Sequence, residues 1–378
     1  MCITVVPSNI VAKEMVVMKR GFQKCLYLWA FLFLMCGLGW CEEEPQDAQI
    51  EDETGLEVKT LEKPASSFIK IKLGEAEFSG LLQTLYSQDS TAIDTFRMRN
   101  AELKLTGSFN SWSEYFIMID PAKDLKVGAD NKILQDCGFF LKSAVWGYPL
   151  KVTVGQIKIP VTMEGLQASA ALETIERATI VKNTGVKRDQ GVKFDAAISP
   201  LHLKYTLGVF NGEGSNVNDV NEHKDLAGRV VWQSPSVVGL HLGASLYKGR
   251  QGVNSVDKDR QGVEFQYARN AYIVKAEYLE ADNNTIDSRG WYGLFGYDLD
   301  ALDQVWSTNF FTQSQFVLRY DRNDINVDDD LYMDTLTVGV NHFLQGDNSK
   351  FQVNYLRMDG RGGLADGNGL SVFYQIRF

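Results

Sequence analysis

Apolar and polar residues alternate one for one along most of the chain, in short runs separated by clusters of Gly, Asp, Asn and Ser. Leu203, Tyr205, Leu207 and Val209 alternate with Lys204, Thr206 and Gly208; Phe351, Val353 and Tyr355 alternate with Gln352 and Asn354. A strand sends successive side chains to opposite faces, so each run makes a ribbon with one greasy and one wet side. Such segments fall at 76–88, 96–108, 112–120, 138–147, 150–159, 191–199, 202–210, 226–234, 239–248, 260–268, 272–281, 288–299, 314–323, 333–343, 349–358 and 369–378. Their lengths suit a tilted strand crossing a bilayer, which needs about 9–11 residues. The last segment ends on an aromatic, with Val372, Tyr374, Ile376 and Phe378 on one parity.

The connections carry a second signal. Every odd one is long: 89–95, 121–137, 160–190, 211–225, 249–259, 282–287, 324–332 and 359–368. The even ones are tight, such as Asn110-Ser111, Tyr148-Pro149 and Pro200-Leu201. One even connection, Asp300–Gln313, is long and holds Val305, Trp306, Phe310 and Phe311, so its flanking strands are expected to run on into it. Long outer loops alternating with short periplasmic turns mark a transmembrane β-barrel. The expected fold is therefore all-β, a 16-stranded antiparallel barrel. Trp112, Trp146, Tyr148, Trp232, Tyr247, Trp291, Tyr292 and Tyr320 lie near segment ends, where interfacial girdles place aromatic rings.

The first 41 residues read as an export signal. Lys19, Arg20 and Lys24 precede an apolar stretch, Leu26–Leu38, too short to span a bilayer. Met18 is the expected true start, with cleavage near Cys41; acylation of Cys41 is the alternative, disfavoured by the bulk of Trp40. Residues 42–67 follow as an acidic periplasmic tail, with nine acids against two lysines in Glu42–Lys63. Residues 68–378 form the barrel. Of the five cysteines only Cys137 lies beyond the leader, so no internal disulfide is available.

Several segments resemble the phosphate-selective porin O/P family. They are Phe96-Arg97-Met98-Arg99-Asn100-Ala101-Glu102-Leu103-Lys104-Leu105, Val154-Gly155-Gln156-Ile157-Lys158-Ile159-Pro160, Ile175-Glu176-Arg177, Gly208-Val209-Phe210-Asn211-Gly212 and Gly339-Val340-Asn341-His342-Phe343-Leu344. The resemblance implies a homotrimer of water-filled barrels in the bacterial outer membrane. In each barrel the third outer loop folds into the lumen, and arginines and lysines line a path for phosphate or other small anions. Three positions depart from the pattern: Asn100 for a basic residue, Val161 for an aromatic, and Leu134-Gln135-Asp136-Cys137-Gly138 without an arginine. Here the third loop is Val161–Gln190, the longest, and Leu166–Ala178 is its helix-like stretch.

The candidate anion pathway is Arg97, Arg99, Lys104, Lys151, Arg177, Lys182, Lys187 and Arg188. The competing role for each is to pair with Glu164, Glu173 or Glu176 and pin the loop to the wall. Arg97 and Arg99 share parity with Leu103 and Leu105, which should face lipid. Either a bulge switches faces between them, or the arginines stand above the membrane band. The residues beyond the tail stay acidic overall, near −6, but charge acts within about a Debye length, so a basic constriction fits inside.

No enzyme pattern is present. His202, His223, His241 and His342 are far apart, and Gly243-Ala244-Ser245-Leu246-Tyr247 lacks the second glycine of a nucleophile elbow. Gly212-Glu213-Gly214 does not continue into a dinucleotide fingerprint, and Asp328-Asp329-Asp330 lacks the spaced ligands of a calcium loop. No cofactor, metal or nucleic-acid partner is expected. The expected partners are small anionic solutes, outer-membrane lipids, further copies of the chain, and the barrel-assembly machinery through Phe378. The alternative function is a surface adhesin with a plugged pore, using loops 160–190 and 211–225.

Overall fold

The computed structural model describes residues 71–378, apart from 74–75, 91–92, 125–131, 146, 186–187, 284–285, 301 and 303–310. The export signal, the acidic tail, Trp146, Lys187, Trp306 and Phe310 lie outside the described residues.

Sixteen antiparallel strands close on themselves. They are β1 Ala76–Asp89, β2 Thr95–Asn110, β3 Ser113–Ile119, β4 Leu134–Val145, β5 Tyr148–Lys158, β6 Arg188–Ile198, β7 Leu203–Phe210 and β8 Asp225–Gln233. β9 Leu240–Lys248, β10 Asp259–Arg269, β11 Tyr272–Asp282, β12 Asp287–Asp298, β13 Ser314–Asn326, β14 Leu331–Phe343, β15 Ser349–Gly360 and β16 Gly367–Arg377 follow. Each strand overlaps one of the segments read from the alternation, with ends that differ by up to four residues.

Closure runs through β16 and β1, from Gly369 opposite Asp89 to Arg377 opposite Leu81. Phe378 continues it: its amide donates to the Gly80 carbonyl at 3.0 Å and its carbonyl accepts from the Gly80 amide at 2.8 Å. The Phe378 ring occupies the space that a Gly80 side chain would fill. Beyond that point a three-residue strand, Ile71–Leu73, pairs with the start of β1 and covers the edge that β16 leaves open.

Burial is inverted relative to a water-soluble sheet. Gln315, Arg319, Asp321 and Asn323 of β13 are buried, whereas Leu318 and Tyr320 are exposed. On β15 Lys350, Gln352 and Asn354 are buried and Phe351, Val353 and Tyr355 are exposed. The polar parity faces inward and the apolar parity faces outward, the arrangement of a transmembrane β-barrel. Trp112, Trp232 and Tyr320 stand on this outer surface, but Tyr247 and Tyr292 are buried, so those two rings do not belong to a girdle.

Two further expectations are corrected. β12 ends at Asp298 and β13 starts at Ser314, so neither strand extends into the long 299–313 connection. The stretch 166–178 is not one helix. The third loop instead has a short helix α1 at Met163–Leu166, a 3-10 turn at Ser169–Ala171 and a helix α2 at Thr179–Thr184. The backbone between them is extended, and its carbonyls bond to side chains of the wall rather than to their own amides.

Where the loop leaves the wall, Gly138, Gly155 and Gly191 stand side by side on β4, β5 and β6. Gly155 has φ +142°, and a side chain there would come within 2.1 Å of the Cys137 carbonyl. This row lets the backbones approach at a bend that no residue with a Cβ would permit.

Candidate functional site: the pinned third loop

The loop enters through Ile159 and Val161, which pack with Ile157, Phe210, Ala227 and Tyr247. Thr162 caps α1, its hydroxyl accepting from the Gly165 amide at 2.9 Å. Two apolar plugs then hold the loop. Ile175 packs with Leu85 of β1 and Phe373 of β16. Ala178, Ile180 and Val181 pack against Ala268, Ile273, Leu279, Tyr292 and Leu294 of β10–β12.

Between the plugs the loop backbone is held by inward-facing side chains. The Gln83 amide donates to the Ser169 carbonyl at 3.3 Å and Gln375 to Ala170 at 3.1 Å. Lys350 donates to Leu172 at 3.0 Å and Asn341 to Glu173 at 2.8 Å. In the other direction the Ile175 amide donates to Asn354 at 2.8 Å, and that of Thr179 to Asp321 at 3.1 Å. These bonds satisfy an extended backbone that has no ladder of its own, and this is why a helix does not form there.

The three acids of the loop all meet wall cations. Glu164 lies 3.4 Å from Arg319, Glu173 2.7 Å from Lys275, and Glu176 3.2 Å from Arg97 and 3.3 Å from Arg99. Arg319 also donates to the Thr174 hydroxyl at 2.6 Å and the Glu176 carbonyl at 2.7 Å. Burial raises the pKa of Glu164, against the pull of Arg319 and the Ala178 amide. Burial also pushes Glu176 up, but Arg99, Lys182 and Arg97 outweigh it and hold the carboxyl at about 2.

Arg97 and Arg99 reach Glu176 because β2 is bulged. Gln83 pairs with Asn100 and the next residue, Thr84, with Met98, so Arg99 is the extra residue. The bulge resolves the parity conflict: both arginines point inward, together with Asn100. Arg177 staples the loop to itself, donating to the Glu164 carbonyl at 2.9 Å and the Gln167 carbonyl at 2.7 Å. Arg188 forms a two-pronged pair with Asp136, at 2.7 and 2.9 Å. Lys182 is exposed on α2. Lys104 is half-buried on β2, opposite Ser79 and Met118. Lys151 lies 5.0 Å from the Phe140 ring centre.

The loop thus gathers Arg97, Arg99 and Arg177, while Lys104, Lys151 and Arg188 sit on other parts of the wall. Its strongest anchors, Arg319, Lys275, Lys350 and Lys158, were not among the candidates. Lys158 donates to the Leu166 carbonyl at 2.8 Å. Their signal was present: each is a cation on the wet parity of an alternating strand.

Residues 77–258 match the family model described as phosphate-selective porin O and P. That match covers just under half of the chain and supports the family. It runs from β1 to the end of the fifth outer loop and includes the third loop. Among solved structures, OmpF of Salmonella typhi in complex with daunomycin is similar at 10% identity and TM-score 0.59, over 82% of this chain and 100% of that one. A loop L8 deletion mutant of OmpT, an outer membrane protein of Vibrio cholerae, is similar at 12% identity and TM-score 0.58, over 80% and 99%. The in-vitro folded trimer form of OmpT follows at 11% identity and TM-score 0.51, over 80% and 99%. No curated protein matches the sequence. At these identities the structures share the fold alone. Family and fold together make the chain an outer-membrane porin.

Proposed function

We propose that this porin lets small hydrophilic anions, phosphate among them, diffuse down their gradients through a water-filled lumen. The observation that carries the reading is the neutralised loop: Glu164, Glu173 and Glu176 are each engaged by a wall cation, so the loop offers passing anions no uncompensated carboxylate. Positive charge elsewhere on the wall is then free to act where water screening is weakest. The reading needs no catalysis and no cofactor. It includes an export signal over residues 1–41, a periplasmic tail over 42–67, assembly through the C-terminal strand and Phe378, and a homotrimer in contact with outer-membrane lipid. A trimer form of a similar barrel supports the last of these.

Planar-bilayer recording tests it. The reconstituted wild type should give stepwise conductance and a reversal potential of anionic sign in a KCl gradient. Cation preference would refute the anion part. Absence of any channel, with cell adherence lost on trimming loops 160–190 and 211–225, would favour an adhesin instead.

A further inference from the structure

The third loop covers one side of the lumen. Hydrogen bonds reach residues 163–185 from β1, β2, β5, β10, β11 and β13–β16. Among the described residues none reaches them from β6–β9. On the covered side lies the closing seam, where β16 pairs with β1. This join differs from the others in the ring. Consecutive strands are tethered by a turn or loop, whereas β1 and β16 sit at opposite ends of the chain. Gln83 and Gln375, which pair across the seam, are 292 positions apart. Parted, the two strands would expose open edges, and unpaired backbone groups are costly in a membrane.

The loop lies across the inner face of this seam. Gly80 and Phe378 exchange both backbone bonds. By the alternation of an antiparallel ladder, Gln83–Gln375 and Leu85–Phe373 are then closely spaced pairs. All four side chains are buried. The Gln83 amide donates to the Gln375 side chain at 2.7 Å. Each glutamine also donates to the loop, Gln83 to the Ser169 carbonyl and Gln375 to that of Ala170. Ile175 packs on Leu85 and Phe373 together, a surface that neither strand offers alone. Anchors further out repeat the arrangement. On the β1 side, Arg99 of β2 holds both Gln83, at 2.8 Å, and Glu176, at 3.3 Å. On the β16 side, Asn354 and Lys350 of β15 hold Ile175 and Leu172. Residues 169–176 are therefore gripped from both banks of the seam, whereas α2 packs on β10–β12.

We propose that the third loop is a strap that fastens the closing seam from inside: segment 169–176 docks only once β1 and β16 have paired, and then resists their separation. The proposal goes beyond permeation and holds whichever solutes the lumen passes. Its mechanism is the added contact. Parting the strands would separate Gln83 from Gln375 and Leu85 from Phe373. With the loop in place it would also uncover Ile175 and break the bonds to Ser169 or Ala170.

The test is amide hydrogen exchange of the folded barrel in detergent micelles, read at the seam, residues 81–89 and 369–377, and at the other plug, residues 272–282. Ile175→Ser should speed exchange at the seam roughly tenfold and leave 272–282 within about twofold. Ile180→Ser loosens the same loop at its other plug and should do the reverse. If Ile175→Ser fails to assemble, Ile175→Val should still speed the seam about threefold. Ser87 and Ser371 form the next closely spaced pair beyond Leu85 and Phe373. A disulfide made from Ser87→Cys/Ser371→Cys ties the seam covalently, and in that background Ile175→Ser should change seam exchange less than about twofold. Seam exchange that Ile175→Ser leaves unmoved, that Ile180→Ser raises as much, or that rises equally with and without the disulfide overturns the proposal. None of these outcomes bears on the porin reading, which the bilayer recordings test separately.

Discussion

The covered and uncovered walls use the same residue types for opposite ends. On β10–β16 and β1–β2 the inward cations are consumed: Arg319, Lys275, Lys350, Arg97 and Arg99 each hold a loop carboxylate or carbonyl. On β6–β9, among the described residues, no side chain bonds to residues 163–185, and Lys193 and Arg229 pair with wall acids, Asp195 and Glu264, instead. A basic residue on the wet parity of a barrel strand is therefore not by itself a pathway residue. What faces it across the lumen decides, and that partner can lie more than a hundred residues away.

Breaking the covered wall should give the largest effects. Arg319→Ala strands Glu164 as an uncompensated buried charge. Loss of one partner of such a pair costs about 3–5 kcal/mol, so the loop should detach, seen as current noise and as protease cleavage within 163–185. Next comes acidification. Glu176, held at about 2, is deprotonated in the pinned loop, and a freed carboxylate would titrate near 4.5. Its contribution is fully present above that higher value and is lost as pH falls from about 4.5 toward 2. The Glu176 side chain is 31% exposed, which discounts the brace to about 2 kcal/mol. Current noise should rise over this window in the wild type, and Glu176→Gln should be noisy at every pH. A comparable loss, about 2 kcal/mol, is expected for Gly155→Ala, which forces a Cβ onto the Cys137 carbonyl at φ +142°; the thermal midpoint in detergent reads it. The smallest change should come from Lys182→Ala: Lys182 is exposed and only reinforces Glu176 at a distance, so noise should shift slightly and assembly not at all.

Much of this contrast was legible in the sequence. Strand number, loop alternation and the identity of the third loop follow from period-two patterning, which is local. The roles of Glu164, Glu173 and Glu176 as loop anchors were also among the readings, since acids within a loop facing a basic wall have few other uses. The failures share a cause. The 166–178 stretch has helix-forming residues, but Gln375, Lys350 and Asn341, far along the chain, take its carbonyls. The inward turn of Arg97 and Arg99 depends on one skipped pairing in β2, which alternation cannot reveal. Tyr247 and Tyr292 sit near strand ends like girdle residues, yet lie on the parity that the loops cover.

The central claim is that the third loop rests against the β13–β16 wall and leaves a passage beside it. The Ile175 amide bonds to the Asn354 side chain at 2.8 Å, so these two positions report it directly. In the double variant Ile175→Cys/Asn354→Cys, oxidation should join the loop to β15 while single-channel conductance stays at the reduced level. Failure of the bridge to form, or closure of the channel once it forms, would contradict the account.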